Sequence, residues 1–241
     1  MFLISLININ VLAIANETSW YRFENDFTDE TGVFDNTNNG AGFTTGKLGT
    51  YSADFNGIDE NTETASHYDN AEGNDRGMSM WLYVDDKAGG GERQIIDLRY
   101  KWEFYISNIG DLTFHVHTSI GPRITTIAIN ENEWFHVGLI INSSEETIMI
   151  INSTRVITSS GAGGLSDTGS AILGLGFDID DTDYFDGRID DFRYFMGEGN
   201  IPTHEDFVTI YNNGVGLDTY LNGSGGYIPP PTDEQKFTIT A

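Results

Sequence analysis

The stretch FDIDDTDYFDGRIDDFRYF, residues 177–195, sets seven aspartates and six aromatic rings within nineteen residues. Like charges repel and aromatic rings favour burial, so the stretch must straddle a boundary between core and water. Its second half, residues 185–195, reads as a strand whose aromatics fill a core. Ile189 and Phe192 are three apart, so strict alternation cannot send both to one face. A β-bulge at Asp190–Asp191 would remove the conflict and turn a carboxylate toward a neighbouring loop or backbone amides. The first half, Phe177 to Tyr184, reads as an acidic loop that leads into the strand.

Working outward, similar strand-like runs recur with turn residues between them. They include SWYRF (19–23), YSADF (51–55), MSMWLYV (78–84), RQIIDLRY (93–100), WEFYIS (102–107), LTFHVHT (112–118), RITTIAI (123–129), WFHVGLIIN (134–142), ETIMIIN (146–152) and AILGLGF (171–177). In 112–118, Leu112, Phe114 and Val116 fall on one face, and Thr113, His115 and His117 on the other. The 28 glycines and the Gly/Asn clusters suit a fold with many turns. One helix is expected in IPTHEDFVTIYNNG (201–214), with Thr203 as N-cap, Asp206 three residues on, and Gly214 at the C-terminal end. The pattern predicts an all-β, two-sheet antiparallel sandwich with one short C-terminal helix packed on its edge.

With 39% hydrophobic and 20% charged residues, the 241-residue chain can build a real core. The net charge of -25 excludes nucleic-acid backbones and anionic membrane surfaces as natural partners, since both are polyanions. It suits divalent cations, neutral ligands or basic partners, and it also serves solubility. The chain has no cysteine, which excludes disulfides, zinc–thiolate sites and cysteine nucleophiles.

Residues 1–16 contain an apolar run ending Ala13-Ile14-Ala15, which fits a signal-peptidase site, although Leu6 to Val11 also alternates like a strand. The run is too short and polar to span a membrane. Sequons begin at Asn16, Asn142, Asn152 and Asn222. Residues 17–216 form the expected domain. Residues 217–241 form a Gly/Pro linker followed by a terminal strand that could pair with a second chain.

The segments WYRFENDFTDETG, GKLGTYSADFNGIDE, MSMWLYV, NEWFHVGLIIN, AILGLG and YFDGRIDDFRYF, followed by a helix ending IYNNG, stand in a recognisable order. Over about residues 19 to 214 the chain resembles the concanavalin A-like lectin/glucanase superfamily, in its laminin-G-like and pentraxin-like branch. The segment from Gly187 to Tyr194 is its most specific piece. The resemblance implies a jelly roll of two antiparallel sheets and an extracellular or cell- or virion-surface location. It also implies a carbohydrate or glycoconjugate as ligand.

The resemblance also implies calcium, because pentraxins bind the ion between two loops. The matching positions are Asp59 and Glu60, after Phe55-Asn56-Gly57, and Asp178, Asp180, Asp181 and Asp183. Glu60 stands where pentraxins carry an amide. The loop is not an EF-hand: counted from Asp178, positions six and twelve hold Asp183 and Ile189. A solvated acidic rim is the other reading of these residues. A second place for an ion is Asp26 or Asp29 with Asp190.

Tyr51, Trp102 and Tyr184 are the candidates for stacking on a sugar ring, with Trp81 and Trp134 assigned to packing. Glu24 to Asp29 reads E-x-D-x-x-D and lacks the final glutamate of the glucanase pair, so no enzymatic activity is expected. His115 and His117 share a face, but two ligands alone make a poor metal site. The competing function is structural: an assembly module of a virion, filament or cell-surface layer, docking neighbours through its tail.

Overall fold

A computed structural model describes residues 17–64, 75–87, 91–98, 101–117, 122–142, 146–160, 171–179, 183–197 and 199–217. The expected leader and the tail from residue 218 onward lie outside them. In chain order the strands are β1 (Ser19–Tyr21), β2 (Asn36–Asn39), β3 (Gly42–Thr45), β4 (Tyr51–Asn56) and β5 (Asn61–Thr64). Next come β6 (Arg76–Val84), β7 (Arg93–Leu98), β8 (Trp102–Ile106), β9 (Asp111–Val116) and β10 (Arg123–Ala128). The last five are β11 (Trp134–Ile141), β12 (Glu146–Ile151), β13 (Thr154–Ser160), β14 (Leu173–Leu175) and β15 (Asp186–Met196).

They form a jelly-roll sandwich. One sheet runs β13-β12-β11-β6-β15-β4-β3, with β1 also pairing β15. The other runs β10-β9-β8-β7-β14-β5-β2. Every ladder between named strands is antiparallel. Between the sheets, alternate residues of each strand interdigitate: Met78, Met80 and Leu82 of β6 meet Ile96, Phe104, Phe114 and Leu173 from the facing sheet.

The bulge in β15 is present. Asp190 pairs Trp81 and Arg193 pairs Ser79, so Asp191 and Phe192 together oppose Met80. Asp191 takes φ 50°, a region that Asp tolerates better than most residues. The extra residue restores parity, so Ile189, Phe192 and Tyr194 all reach the core. Here β15 also changes neighbour: residues 186–189 pair β4 and residues 192–194 pair β1.

Both bulge carboxylates are buried and engaged. Asp190 Oδ2 accepts the backbone N–H groups of Lys47 (2.7 Å) and Leu48 (2.8 Å), fixing the β3–β4 connection. Asp191 Oδ1 accepts Trp20 Nε1–H at 2.6 Å, and Arg193 donates to both of its oxygens at 3.0–3.2 Å. Arg193 also donates to Glu17 Oε1 at 2.8 Å and to the Leu217 carbonyl, and it stacks on the Trp20 ring.

Helix α1 (His204–Tyr211) begins with Thr203 as N-cap, in a capping box with Asp206. It ends at Asn212 in the left-handed region, two residues before Gly214. The helix packs across the outer face of the eight-stranded sheet rather than on an edge of the sandwich. Phe207 lies over Gly138, where a Cβ would come within 2.6 Å of the ring. Phe207 and Ile210 close a second apolar cluster with Ile140, Ile148, Ile150 and Phe195.

Two outcomes follow from the bulge. Asp191→Ala removes the acceptor of the Trp20 indole N–H and one of the two carboxylates that pair with the buried Arg193 guanidinium, leaving Glu17 as the other, so chemical denaturation should show a loss of about 1–3 kcal/mol. Burial raises the Asp190 carboxyl to about 8, outweighing the amide donors that favour its charged form. A raised carboxyl pKa stabilises the fold below the unfolded value of about 4, and that stability is lost as the pH rises through the folded value. The melting-temperature difference between Asp190→Asn and the parent should therefore climb between about pH 4 and 8 and then level off. A flat difference would show that Asp190 titrates normally.

Candidate functional site

The outward face of the seven-stranded sheet is built by simple alternation. In β8, Trp102, Phe104 and Ile106 point into the core, and Glu103 and Tyr105 stay half-buried on the outside. In β9, Leu112, Phe114 and Val116 point in, leaving Thr113 and His115 outward, with His117 following. The register aligns Gly174, Asp97, Glu103, His115 and Ile124 in one row across β14, β7, β8, β9 and β10. Tyr105, Thr113 and Thr126 form the next row.

Glu103 lies between the two histidines: one oxygen is 2.8 Å from His117 Nε2 and the other 3.5 Å from His115 Nδ1. These contacts hold the Glu103 carboxyl down at about 2 and raise His117. Burial, Glu92 and Glu103 push the Tyr105 hydroxyl up to about 12, so it keeps its proton at any physiological pH.

The acidic loop rises beside these rows. Phe177 and Ile179 lie over Gly174, within 2.8–3.1 Å of where its Cβ would sit. Asp97 Oδ2 accepts the Ile179 N–H at 3.0 Å, and Asp178 N–H bonds the Asp183 carbonyl at 3.3 Å. Tyr184 stacks on Phe177 at 6.4 Å between centroids. Burial, followed by the charges of Asp183, Glu103 and Asp178, raises Glu92. The face is therefore anionic and aromatic-edged, with a loop wall on one side.

Residues 55–198 match a laminin G family described as belonging to the concanavalin A-like lectin/glucanases superfamily. The chain belongs to that superfamily. No curated protein matches the sequence. Among solved structures it is similar to domain 4 of AbnA, an extracellular arabinanase from Geobacillus stearothermophilus, in complex with arabinotriose. The TM-score there is 0.64 at 17% identity, covering 85% of this chain and 100% of that domain. It is also similar to the binding domain of botulinum neurotoxin DC. In complex with SialylT that structure gives a TM-score of 0.62 at 14% identity over 83% of this chain. In complex with rat synaptotagmin II it gives 0.65 at 15% over 83%. The chain spans about half of those neurotoxin chains, 51% and 52%.

Within the superfamily fold, the expected site residues scatter. Trp102 is corrected: it is fully buried between Phe114 and Tyr194 and offers a ligand no surface. Tyr51 is 40% exposed, but it starts β4. The Asp59 loop follows the far end of that strand, so a whole strand length separates the two. Tyr184 borders the acidic loop as expected.

Asp59 Oδ1 accepts Asn56 Nδ2–H at 3.0 Å, and Glu60, raised by burial, is near Asp54 and Asp59. Asp178 and Asp183 instead influence Glu92. Among the described residues, the calcium donors expected from the two loops are not gathered around one point. Asp180 and Asp181 lie outside the described residues. Nor do the bulge and first-loop acids gather. Asp29 takes five donors from Trp20, Thr31, Val33 and Phe34, Asp190 takes two amides, and Asp26 accepts Thr28 N–H.

What the sequence reading missed is Glu103 as the third member beside the histidines. Its outward position was legible from the Trp102-Glu103-Phe104 alternation. Its pairing with His115 depends on the β8–β9 register.

Proposed function

We propose that the chain is a non-catalytic module that binds a carbohydrate on the outer face of the seven-stranded sheet, acting outside a cell or on a cell or virion surface. The observation that carries this reading is the difference between the two outer faces. The eight-stranded sheet is roofed by α1 and by Lys47, with Tyr211 stacked on Trp81 at 5.7 Å. The seven-stranded sheet instead presents Tyr105, Glu92 and Glu103 beside the stacked rings of Phe177 and Tyr184. Aromatic edges beside carboxylates and hydroxyls suit a pyranose ring and its hydroxyl groups. The similar arabinanase domain held arabinotriose, which supports a sugar as the ligand class.

Two features favour binding over hydrolysis. Glu24 accepts the Thr50 N–H and Asp29 is buried in its own loop, so the E-x-D-x-x-D segment is occupied by backbone donors. Ser79 Oγ lies 2.8 Å from His136 Nε2, a nucleophile–base spacing, but both are fully buried on the helix-covered side. Burial, helped by Arg193, lowers His136 to about 3.

A glycan array including arabinotriose and sialylated oligosaccharides tests the reading. Tyr105→Ala and Tyr184→Ala should each weaken a positive signal by about 0.5–1.5 kcal/mol, roughly two- to tenfold. Blank arrays, or variants that bind as the parent does, would sink it.

Calcium enters this proposal through the sequence from Asp178 to Asp183, which carries four aspartates in six residues. Calorimetric titration with Ca²⁺ should release heat and raise the melting temperature, with EDTA reversing both. If neither happens, the sugar reading stands without the ion.

A further inference from the structure

We infer that Glu103, His115 and His117 form a site for one divalent transition-metal ion of the zinc class on the outer face of the seven-stranded sheet. His115 and His117 are two apart on β9 and its extension, so both rings leave the same face, with centroids 4.3 Å apart. Glu103 is directly opposite His115 in the β8–β9 register, so its carboxylate reaches both rings. Each of the three can offer one ligand atom with all of them within 4.8 Å of one another. A tetrahedral ion with bonds of about 2.0–2.2 Å needs donors about 3.3–3.5 Å apart, so small side-chain rotations suffice.

The surroundings fit as well. The three side chains are 19–33% exposed, enough for an ion to enter and too little for them to sweep freely through solvent. His115 Nε2 is buried without a hydrogen-bond partner. Asp97 stands opposite Glu103 on β7, adding negative charge that attracts a cation.

Two imidazole nitrogens and one carboxylate oxygen select zinc, cobalt, nickel or copper over calcium and magnesium, which prefer all-oxygen shells. Three protein ligands leave at least one position for water or a ligand oxygen, and that position faces the outer surface. The inference is independent of the sugar reading, because the metal alone is the probe.

The full chain, stripped with EDTA and desalted, should bind one equivalent of Zn²⁺ by calorimetry in the presence of excess Ca²⁺. Glu103→Gln, His115→Ala and His117→Ala should each weaken binding at least about tenfold. The double histidine variant should abolish it, and His204→Ala should leave it unchanged. In the parent protein, Zn²⁺ should shift the ring resonances of His115 and His117 and leave those of His136 in place, a readout that needs no variant to fold. Failure to take up Zn²⁺, equal uptake by the double variant, or ring shifts confined to other histidines would each overturn the site.

Discussion

The Asp191 carboxylate, shared between the Arg193 guanidinium and the Trp20 indole, fixes the point on which the eight-stranded sheet turns. It stabilises a left-handed residue in the middle of an eleven-residue strand. That residue resets side-chain parity, so the strand delivers Ile189 and Phe192 to the same core. Because β15 pairs β6 along its length, a one-residue slip there would turn the Phe192 side to solvent and disturb both β4 and β1. Asp190 then ties the β3–β4 connection to the same spot, and Glu17 and Leu217 bring in the two ends of the described domain. The ion pair itself need contribute little net energy; it specifies the structure because the alternatives leave buried charges unpaired.

With that sheet fixed, the two outer faces part company. On the eight-stranded sheet, Ile140, Ile148, Ile150 and Phe195 point away from the main core and would meet water if nothing lay over them. Glycine at 138 lets the Phe207 ring approach the backbone closely, so α1 can seal this surface. On the seven-stranded sheet the outward positions are mostly polar: Asp97, Glu103, Tyr105, Thr113, His115 and Thr126, with Ile124 among them. Glu103, Tyr105 and His115 on this face are half-buried, and no helix of the described residues packs over them.

How much of this was legible depended on whether the signal was local. Strands buried on one face, such as 112–116, carried a two-residue alternation, and the structure reproduces their sidedness residue by residue. The bulge was legible because Ile189 and Phe192 could not otherwise share a core. The capping box was legible because Thr203 and Asp206 are three apart. By contrast, β2 is Asn36-Thr37-Asn38-Asn39, with no apolar residue to mark it as a strand, and it exists because β5 offers it a hydrogen-bonding edge. Trp102 misled because a tryptophan among tyrosines looks the same whether its ring points in or out, and only its parity with Phe104 and Ile106 decides. The Glu103 cluster needed a cross-strand register, which no single segment encodes.

The aspartates between Phe177 and Phe195 serve three physical uses of one side chain. Asp190, like Asp29 far upstream, is a buried acceptor for backbone amides. Asp191 is a buried counter-ion to the Arg193 guanidinium. Asp178 and Asp183 remain half-exposed at the edge of the outer face, beside Glu92 and close to Tyr184. The first two uses answer demands of the fold: a turn to pin, an arginine to neutralise. The third lies at the edge of the outer face, where the charges of Asp183 and Asp178 act on Glu92. One residue type thus pins a turn, neutralises an arginine and charges the edge of a face, and the difference lies in burial and neighbours that the letter D alone does not show.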